Sequence, residues 1–201
     1  GCGSRAGKME QHNSGKPSVD HAVCTGCRVC SKNCAHGAIT FPEKKAVIDH
    51  EKCVGCGRCL GACNFDAIYN ENSSAVKELN IKMAEYTKAV VSGRPAFHIS
   101  LVIDVSPYCD CHPENDVPIL PDVGMFASFD PVALDQACAD ASNAQQPMRG
   151  SILDEHIHEK GFCDHHDHFT NTTPESEWET CLAHAQEIGL GSREYELIEV
   201  K

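Results

Sequence analysis

The chain has 201 residues, 41% of them hydrophobic, and a formal net charge of −12 at pH 7. The length and apolar content support one or two packed domains and exclude a disordered chain. The negative charge disfavours nucleic acid and anionic lipid, so we expect basic protein surfaces or redox proteins as partners.

The sequence has no segment for entering a membrane. No stretch approaches the ~18 consecutive apolar residues of a spanning helix, and the first residues lack the pattern of a signal peptide. We therefore expect a soluble, cytoplasmic protein without membrane insertion. The chain opens on Gly1 and continues as "GCGSRAGKMEQH", which we interpret as a processed or partial product of a longer gene.

Eight of the fourteen cysteines form two runs with the same spacing, "CTGCRVCSKNC" and "CVGCGRCLGAC". Each run reads C-x2-C-x2-C-x3-C, the spacing of bacterial ferredoxins that bind 4Fe-4S clusters. A cubane cluster needs one thiolate at each iron, so three ligands come from a tight loop and one from elsewhere. The runs consist of Cys24, Cys27, Cys30, Cys34 and Cys53, Cys56, Cys59, Cys63.

The two runs resemble those of bacterial two-cluster ferredoxins, in which the fourth cysteine serves the other cluster. The resemblance implies two 4Fe-4S clusters and one-electron transfer. One cluster is predicted on Cys24, Cys27, Cys30 and Cys63, and the other on Cys53, Cys56, Cys59 and Cys34. Ala35 and Asn64 stand where those ferredoxins usually have proline, which bears on potential and solvent access. Zinc sites and disulfides are the weaker alternatives.

The similarity of the two halves extends beyond the cysteines. "VDHAVCTGC" through "CAHGAI" aligns with "IDHEKCVGC" through "CNFDAI" at a constant offset of 29 residues. Each half predicts a short strand, a cluster loop, a helical turn and a second short strand, with residues 39–40 pairing with 46–48. We predict a ferredoxin-like module over residues 17–72, preceded by an N-terminal segment, 1–16, and followed by an α/β part, 73–201.

The remainder of the chain predicts three helices and two strands. A first helix spans about 75–91, with a core-facing stripe. A strand follows at 96–105, and a second helix begins after Asp130 and Pro131 and runs to about 144. A third begins at Thr173 and ends at Gly189, before a strand at 195–200. Two strands make a poor sheet alone, so the fold class is α+β, with the module inserted in part of an α/β domain. The stripe is Val76, Leu79, Met83, Tyr86 and Val90, and the third helix presents Trp178, Cys181, Leu182, Ala185 and Ile188 on one side.

Four segments outside the cysteine runs resemble an uncharacterised iron–sulfur family, domain of unknown function 362, in the form with an inserted ferredoxin module. They read "GCGSRAGKMEQH", "AEYTKAV", "PYCDCHPENDVPILPDVGMFASFDPVALDQA" and "IGLGSREYELIEV". In that family an α/β region precedes the first segment, so the chain resembles its C-terminal portion. The resemblance implies an architecture and a redox class but no substrate.

Three further cysteines suggest a third metal or cluster site. Cys2, Cys109 and Cys111, with His112 or His12, are its candidate ligands, and buried structural thiols are the alternative. The histidine-rich segment 154–169 is interpreted as a solvated surface loop, with zinc or nickel binding as the alternative. Cys138 and Cys181 are predicted to pack. Asp110, Asp116, Asp122 and Asp130 are assigned to turns and caps.

Two functions are consistent with these patterns. The first is an electron carrier in an anaerobe that passes single electrons to a partner protein or to the preceding α/β region. The second is a redox enzyme, an oxidoreductase, whose active or metal site lies near Cys2, Cys109 and Cys111 and is fed by the clusters. The carrier is the preferred prediction. No nucleotide-binding motif is present, because "GLGSRE" follows a helix instead of preceding one.

Overall fold

The computed structural model describes residues 7, 11, 15–70, 76–108, 117–159 and 167–200. The fold mixes helices with small antiparallel sheets and is of the α+β class. The chain divides into two compact units, Gly1–Val90 and Val91–Lys201. Among the described residues, no helix is long and apolar enough to cross a membrane. The predicted division at 1–16, 17–72 and 73–201 stays a prediction.

The first unit contains two matched halves, which together form what we call the cysteine-rich repeat, residues 18–69. Every element of the first half returns 29 residues later in the second half. The duplication seen in the sequence is therefore also a duplication of structure. The elements are β1 (Ser18–Val19), α1 (Val29–Asn33) and β2 (Ile39–Thr40), then β3 (Val47–Ile48), α2 (Arg58–Ala62) and β4 (Ile68–Tyr69), with a 3-10 turn at Pro42–Lys44 between the halves.

Strand pairing joins the two halves to each other. β1 pairs antiparallel with β4, and β2 pairs antiparallel with β3, with Ile39 opposite Ile48. The predicted pairing of residues 39–40 with the strand after the turn is confirmed. Two-residue strands contribute few ladder hydrogen bonds, so packing must support them. A small core of Ile39, Ala46, Leu60, Ala67 and Ile68 lies between the sheets, together with buried Cys24, Cys30 and Cys59.

The helix α3, Val76–Val91, agrees with the predicted span, but its predicted core-facing stripe is wrong at Met83 and Val90, while Val76, Leu79 and Tyr86 are half-buried. Its buried residues are Asn80 and Ala84, whereas Met83 and Val90 are exposed. Asn80 tolerates burial because its side-chain amide donates to the carbonyl of Val76, 2.9 Å away. The buried positions of α3 are therefore a hydrogen-bonded polar residue and a small residue, not its largest apolar residues.

The second unit pairs β5 (His98–Val102) with β6 (Gly124–Ser128), and α4 (Pro131–Asn143) packs against both strands. The sequence analysis did not predict β6. Alternate residues of β5 face the helix, which leaves Ile99 and Leu101 exposed. Met125 of β6 is 70% exposed, and Phe97 contacts Phe129 edge-on with the ring centroids 4.9 Å apart. One face of this two-stranded sheet is therefore apolar and open to solvent in the part of the chain that is described.

Three short helices complete the unit: α5 (Ile152–Glu159), α6 (His168–Thr172) and α7 (Trp178–Glu187). Leu153 of α5 is fully buried against Ile119 and Leu120. The expectation of a surface loop over 154–169 is wrong for the described residues, which are largely helical. α5 takes up 154–159, and Asp167 starts α6 by accepting hydrogen bonds from the N–H groups of Phe169 and Thr170.

The C-terminal region differs from the prediction in two places. The last helix begins at Trp178 and not at Thr173, because Thr173 instead ends α6. Its predicted buried side is confirmed, with Leu182 and Ala185 in the core, and it ends before Gly189 at a φ of 72°. The strand predicted at 195–200 is absent. Ile198 and Val200 are 73% and 90% exposed, so strand propensity there finds no neighbouring strand among the described residues.

Asp130 confirms the predicted start of α4 and also holds the C-terminal segment. Its Oδ1 accepts hydrogen bonds from the N–H groups of Val132 and Ala133 at 2.8 and 3.0 Å. Its Oδ2 accepts the N–H of Ser192 at 2.9 Å, and Gly191 lies so close that an added Cβ would be 2.0 Å from Oδ1. Asp122 has the turn role predicted for it, accepting the N–H of Asp104 at 3.0 Å.

We expect Asp130→Ala to lower the free energy of unfolding by roughly 1–2 kcal/mol, because it removes a helix cap and leaves the Ser192 N–H without its acceptor. Asp130→Ser retains one capping oxygen and should lose about half as much. Urea denaturation followed by circular dichroism measures both. Equal losses for the two variants would show that the contact with Ser192, and not the cap, accounts for the stability.

Candidate functional site

Two cavities in the cysteine-rich repeat each collect four thiols. Cavity A is lined by Cys24, Cys27, Cys30 and Cys63, and cavity B by Cys34, Cys53, Cys56 and Cys59. In both, three cysteines come from one run and the fourth from the other run. The remaining walls are mainly apolar and include Ala46, Phe41, Phe65 and Ile68 in A, and Pro17, Ala38, Ile39 and Ile48 in B.

The exchange of the fourth cysteine follows from how α1 and α2 end. Cys34 caps the C-terminus of α1 with φ −83° and ψ 109°, and Cys63 caps α2 with φ −84° and ψ 108°. Both residues are extended, so the chain leaves each helix directly after its fourth cysteine. Because α1 and α2 pack against each other, each departing thiol reaches the cavity of the opposite half.

Backbone N–H groups point at two of the sulfurs. Ala46 N lies 3.5 Å from Cys24 Sγ, and Gly55 N lies 3.4 Å from Cys53 Sγ. Such N–H···S hydrogen bonds stabilise thiolate ligands and adjust the potential of a metal centre. Cavities A and B therefore offer sulfur donors that already have neighbouring hydrogen-bond donors.

The tight loops require glycine at one close approach. Gly26 lies between Cys24 and Cys27 with a φ of +71°, and a Cβ built there would be 2.0 Å from the carbonyl oxygen of Lys44. Gly55, its counterpart in the second half, has a φ of +76° but only one neighbour, the carbonyl oxygen of Gly15 at 3.3 Å. Only glycine combines this backbone conformation with such a contact.

Burial raises the pKa of two of these thiols. It raises the pKa of Cys59 to about 12, and it raises the pKa of Cys30 from its usual value. Metal ligation requires the thiolate, so loading of these cavities would release protons. The described cysteines are all free thiols.

A zinc ion and a cubane cluster require different arrangements of four thiols. Among the residues that the structure describes, no three His, Cys, Asp or Glu side chains converge as one ion would need. Zinc requires such convergence of four ligands on one ion. A cubane takes each thiolate on a different iron, so its ligands surround a larger space. The donor set of four thiols around a mainly apolar cavity is consistent with that arrangement.

The other predicted site residues either lie outside the described residues or contact separate groups. Cys2, Cys109 and Cys111, with His12 and His112, lie outside the described residues, as do Asp110 and Asp116. The described histidines of the histidine-rich segment bind separate carbonyl groups: His156 that of Asn171, His158 that of Asp154 and His168 that of Gln145, each at 2.8 Å. Cys138 and Cys181 are half-buried.

The sequence analysis missed two wall residues of cavity A. The Arg28 guanidinium lies over the ring of Phe41, 5.6 Å from its centroid, and both residues line the cavity. The position of Arg28 directly after Cys27 could have predicted that its side chain lies at the cavity. Phe41 lies eleven residues beyond Cys30 and is placed there only by the turn between β2 and β3.

Comparison with known proteins identifies a family. A family model described as "Domain of unknown function (DUF362)" matches residues 1–140. No curated protein and no solved structure matches the chain.

We expect Gly26→Ala to unfold the cysteine-rich repeat or lower its free energy of unfolding by several kcal/mol, since the methyl group would meet a backbone carbonyl. Gly37→Ala is the matched control, because Gly37 also has a positive φ, +60°, but no atom within 4 Å of its Cβ position. It should cost about 1–2 kcal/mol, the backbone strain alone. Guanidinium denaturation measures the difference, and equal costs would exclude the contact with Lys44 as its cause.

Proposed function

Since the chain belongs to the DUF362 family, whose description leaves its function open, we propose from cavities A and B that the protein is an iron–sulfur electron carrier with two 4Fe-4S clusters. Cys24, Cys27, Cys30 and Cys63 would hold one cluster in cavity A. Cys34, Cys53, Cys56 and Cys59 would hold the other in cavity B. The proposal includes a ferredoxin-like module within the α+β fold.

The observation that carries this proposal is the exchange of the fourth cysteine. Spacing alone places four thiols near one another in the chain, but it does not decide which four share a cavity. The fold brings together three thiols of one run and the last thiol of the other, in both cavities. This is the ligand pattern of two-cluster bacterial ferredoxins.

When bound, such clusters accept and release single electrons. The contribution of the chain is to hold the sulfurs, to exclude water and to set the charge around them. The mainly apolar walls of both cavities limit solvent, and the N–H groups of Ala46 and Gly55 stabilise negative charge on Cys24 and Cys53. The contact between α1 and α2 holds the two cavities side by side, as a path for an electron between them requires.

A redox enzyme with a site near Cys2, Cys109 and Cys111 stays a prediction, as does any third metal or cluster there. The carrier proposal also includes a cytoplasmic location in an anaerobe. The electrons would pass to a redox partner protein or to the preceding α/β region.

The first test is chemical analysis of anaerobically purified protein. We expect about eight iron and eight sulfide per chain, and a paramagnetic resonance spectrum of two coupled reduced clusters after dithionite. Protein that retains zinc and no sulfide after anaerobic reconstitution with iron and sulfide would contradict the proposal. Appreciably more than eight iron per chain would instead indicate a third site at Cys2, Cys109 and Cys111.

The exchange of ligands has a sharper test in paired substitutions. Cys27→Ser with Cys63→Ser removes two thiols from cavity A alone, so about four iron and an uncoupled spectrum should remain. Cys27→Ser with Cys34→Ser removes one thiol from each cavity, and both clusters should be impaired.

The reverse pattern, with one cluster surviving in the Cys27–Cys34 variant, would show that each run holds its own cluster. Cys138→Ser is the control, because Cys138 lies in the second unit and lines neither cavity. It should leave the iron content unchanged.

A further inference from the structure

The charge of the chain is unevenly distributed. Residues 15–70 contain seven Lys or Arg and five Asp or Glu, whereas the rest of the chain contains ten and twenty-four. Before the charge of any cluster is counted, the side chains of this segment are net cationic within a protein of net charge −12. A partner that contacts its lysines and arginines directly meets side-chain charges opposite in sign to the net charge of the chain.

Four cations belong to residues 24–46, the segment that supplies most of the wall of cavity A. Arg28 lines it and stacks on Phe41. Lys45 donates from its ammonium group to the carbonyl oxygen of Cys24, and the carbonyl of Lys44 abuts Gly26. Lys32 lies one turn beyond Arg28 and is exposed, as are Arg28 and Lys44. Glu43 is the one carboxylate within residues 24–46, so positive charge is in excess in this segment.

The second half of the repeat provides an internal comparison. At the offset of 29 residues, Arg28 and Lys32 correspond to Gly57 and Gly61, and Lys44 and Lys45 correspond to serines. Each cavity has one arginine in its lining, Arg28 in A and Arg58 in B. The cations around cavity A are thus not needed to form a four-thiol cavity, because cavity B forms without their counterparts.

The same side of the repeat exposes apolar surface. Val23 and Phe65 are 45% and 47% exposed, and Phe65 lines cavity A. Cys27 is the exposed cysteine among the eight. Apolar residues at the centre with charged residues around them are typical of protein–protein interfaces. We call the set Val23, Arg28, Lys32, Lys44, Lys45 and Phe65 the cavity A patch.

We propose that the cavity A patch docks an acidic one-electron carrier protein, so that electrons enter or leave through cavity A. This rests on the proposed function. Complementary charge accelerates and orients such encounters. Nucleic acid is disfavoured by the net charge of −12, whereas an acidic protein needs complementary charge only at its contact surface. The expected partner is thus opposite in charge to the basic one that the net charge alone predicts.

Binding of a flavodoxin, an acidic flavoprotein carrier, tests the proposal in the full-length, anaerobically purified protein. Isothermal titration calorimetry would compare about 20 mM with about 300 mM NaCl. Docking at the patch predicts an affinity that falls with salt. Two net-negative proteins without such a patch would repel, and their affinity would rise with salt. No binding at low salt, or binding strengthened by salt, overturns the proposal whatever the variants do.

Lys32→Glu with Lys44→Glu should weaken flavodoxin binding roughly tenfold at low salt. Lys77→Glu with Arg149→Glu changes the net charge equally at exposed positions outside the repeat and should leave the affinity within about twofold. Equal weakening in both variants would show that only net charge matters and would overturn the proposal. Competition by a DNA oligonucleotide as effective as flavodoxin would assign the patch to nucleic acid and overturn it as well.

The two proposals fail in different ways. Iron and sulfide content, measured on the same samples, tests the clusters and should be unchanged by Lys32→Glu with Lys44→Glu. Salt-sensitive flavodoxin binding to a protein that lacks clusters would retain the docking surface and remove the carrier function. Two clusters in a protein that does not bind flavodoxin would support the carrier function and overturn the docking surface.

Discussion

The cysteine-rich repeat depends on one exchange, in which each half supplies the fourth thiol of the other half's cavity. The strand pairs β1–β4 and β2–β3 follow the same rule, since each joins the first half to the second. Neither half contains a complete cavity or a complete sheet. The two halves must therefore form together, and a cofactor held by both would link them further.

The two cavities share thiols and geometry but differ in their surroundings. The halves have the same backbone, down to the matching dihedral angles of Cys34 and Cys63. The cations beside cavity A have no counterparts in the second half. The repeated sequence thus accounts for the cysteines that the two cavities share. The sequence differences between the halves account for the different charged residues around them. This inequivalence gives the proposed carrier a direction, because a partner would meet one cavity and not the other.

The second unit is organised differently, by helix packing and by one carboxylate. Asp130 caps α4 with one oxygen and holds Ser192 with the other. One face of the β5–β6 sheet packs on α4, and the other exposes Leu101 and Met125. The described histidines of the histidine-rich segment, His156, His158 and His168, contact separate backbone carbonyls.

The sequence predicted correctly those features of the fold that depend on residues close together in the chain. The two runs of cysteines, the short strands of each half, the cap at Asp130 and the stop at Gly189 all depend on residues within a few positions of one another. Helix caps and positive-φ turns are decided by such neighbours. For the same reason the spans of α3 and α4 agree with the sequence to within a residue or two.

The sequence by itself determined which residues are cysteines, how they are spaced, and that the pattern repeats at 29 residues. Tertiary structure decided what depends on distant neighbours. β6 and the missing strand at 195–200 depend on whether another strand lies alongside, and the buried line of α3 depends on what packs against it. Which four thiols share a cavity, and where Phe41 and the lysines lie around it, depends on how the halves dock, because contact energy comes from groups that chain order does not bring together.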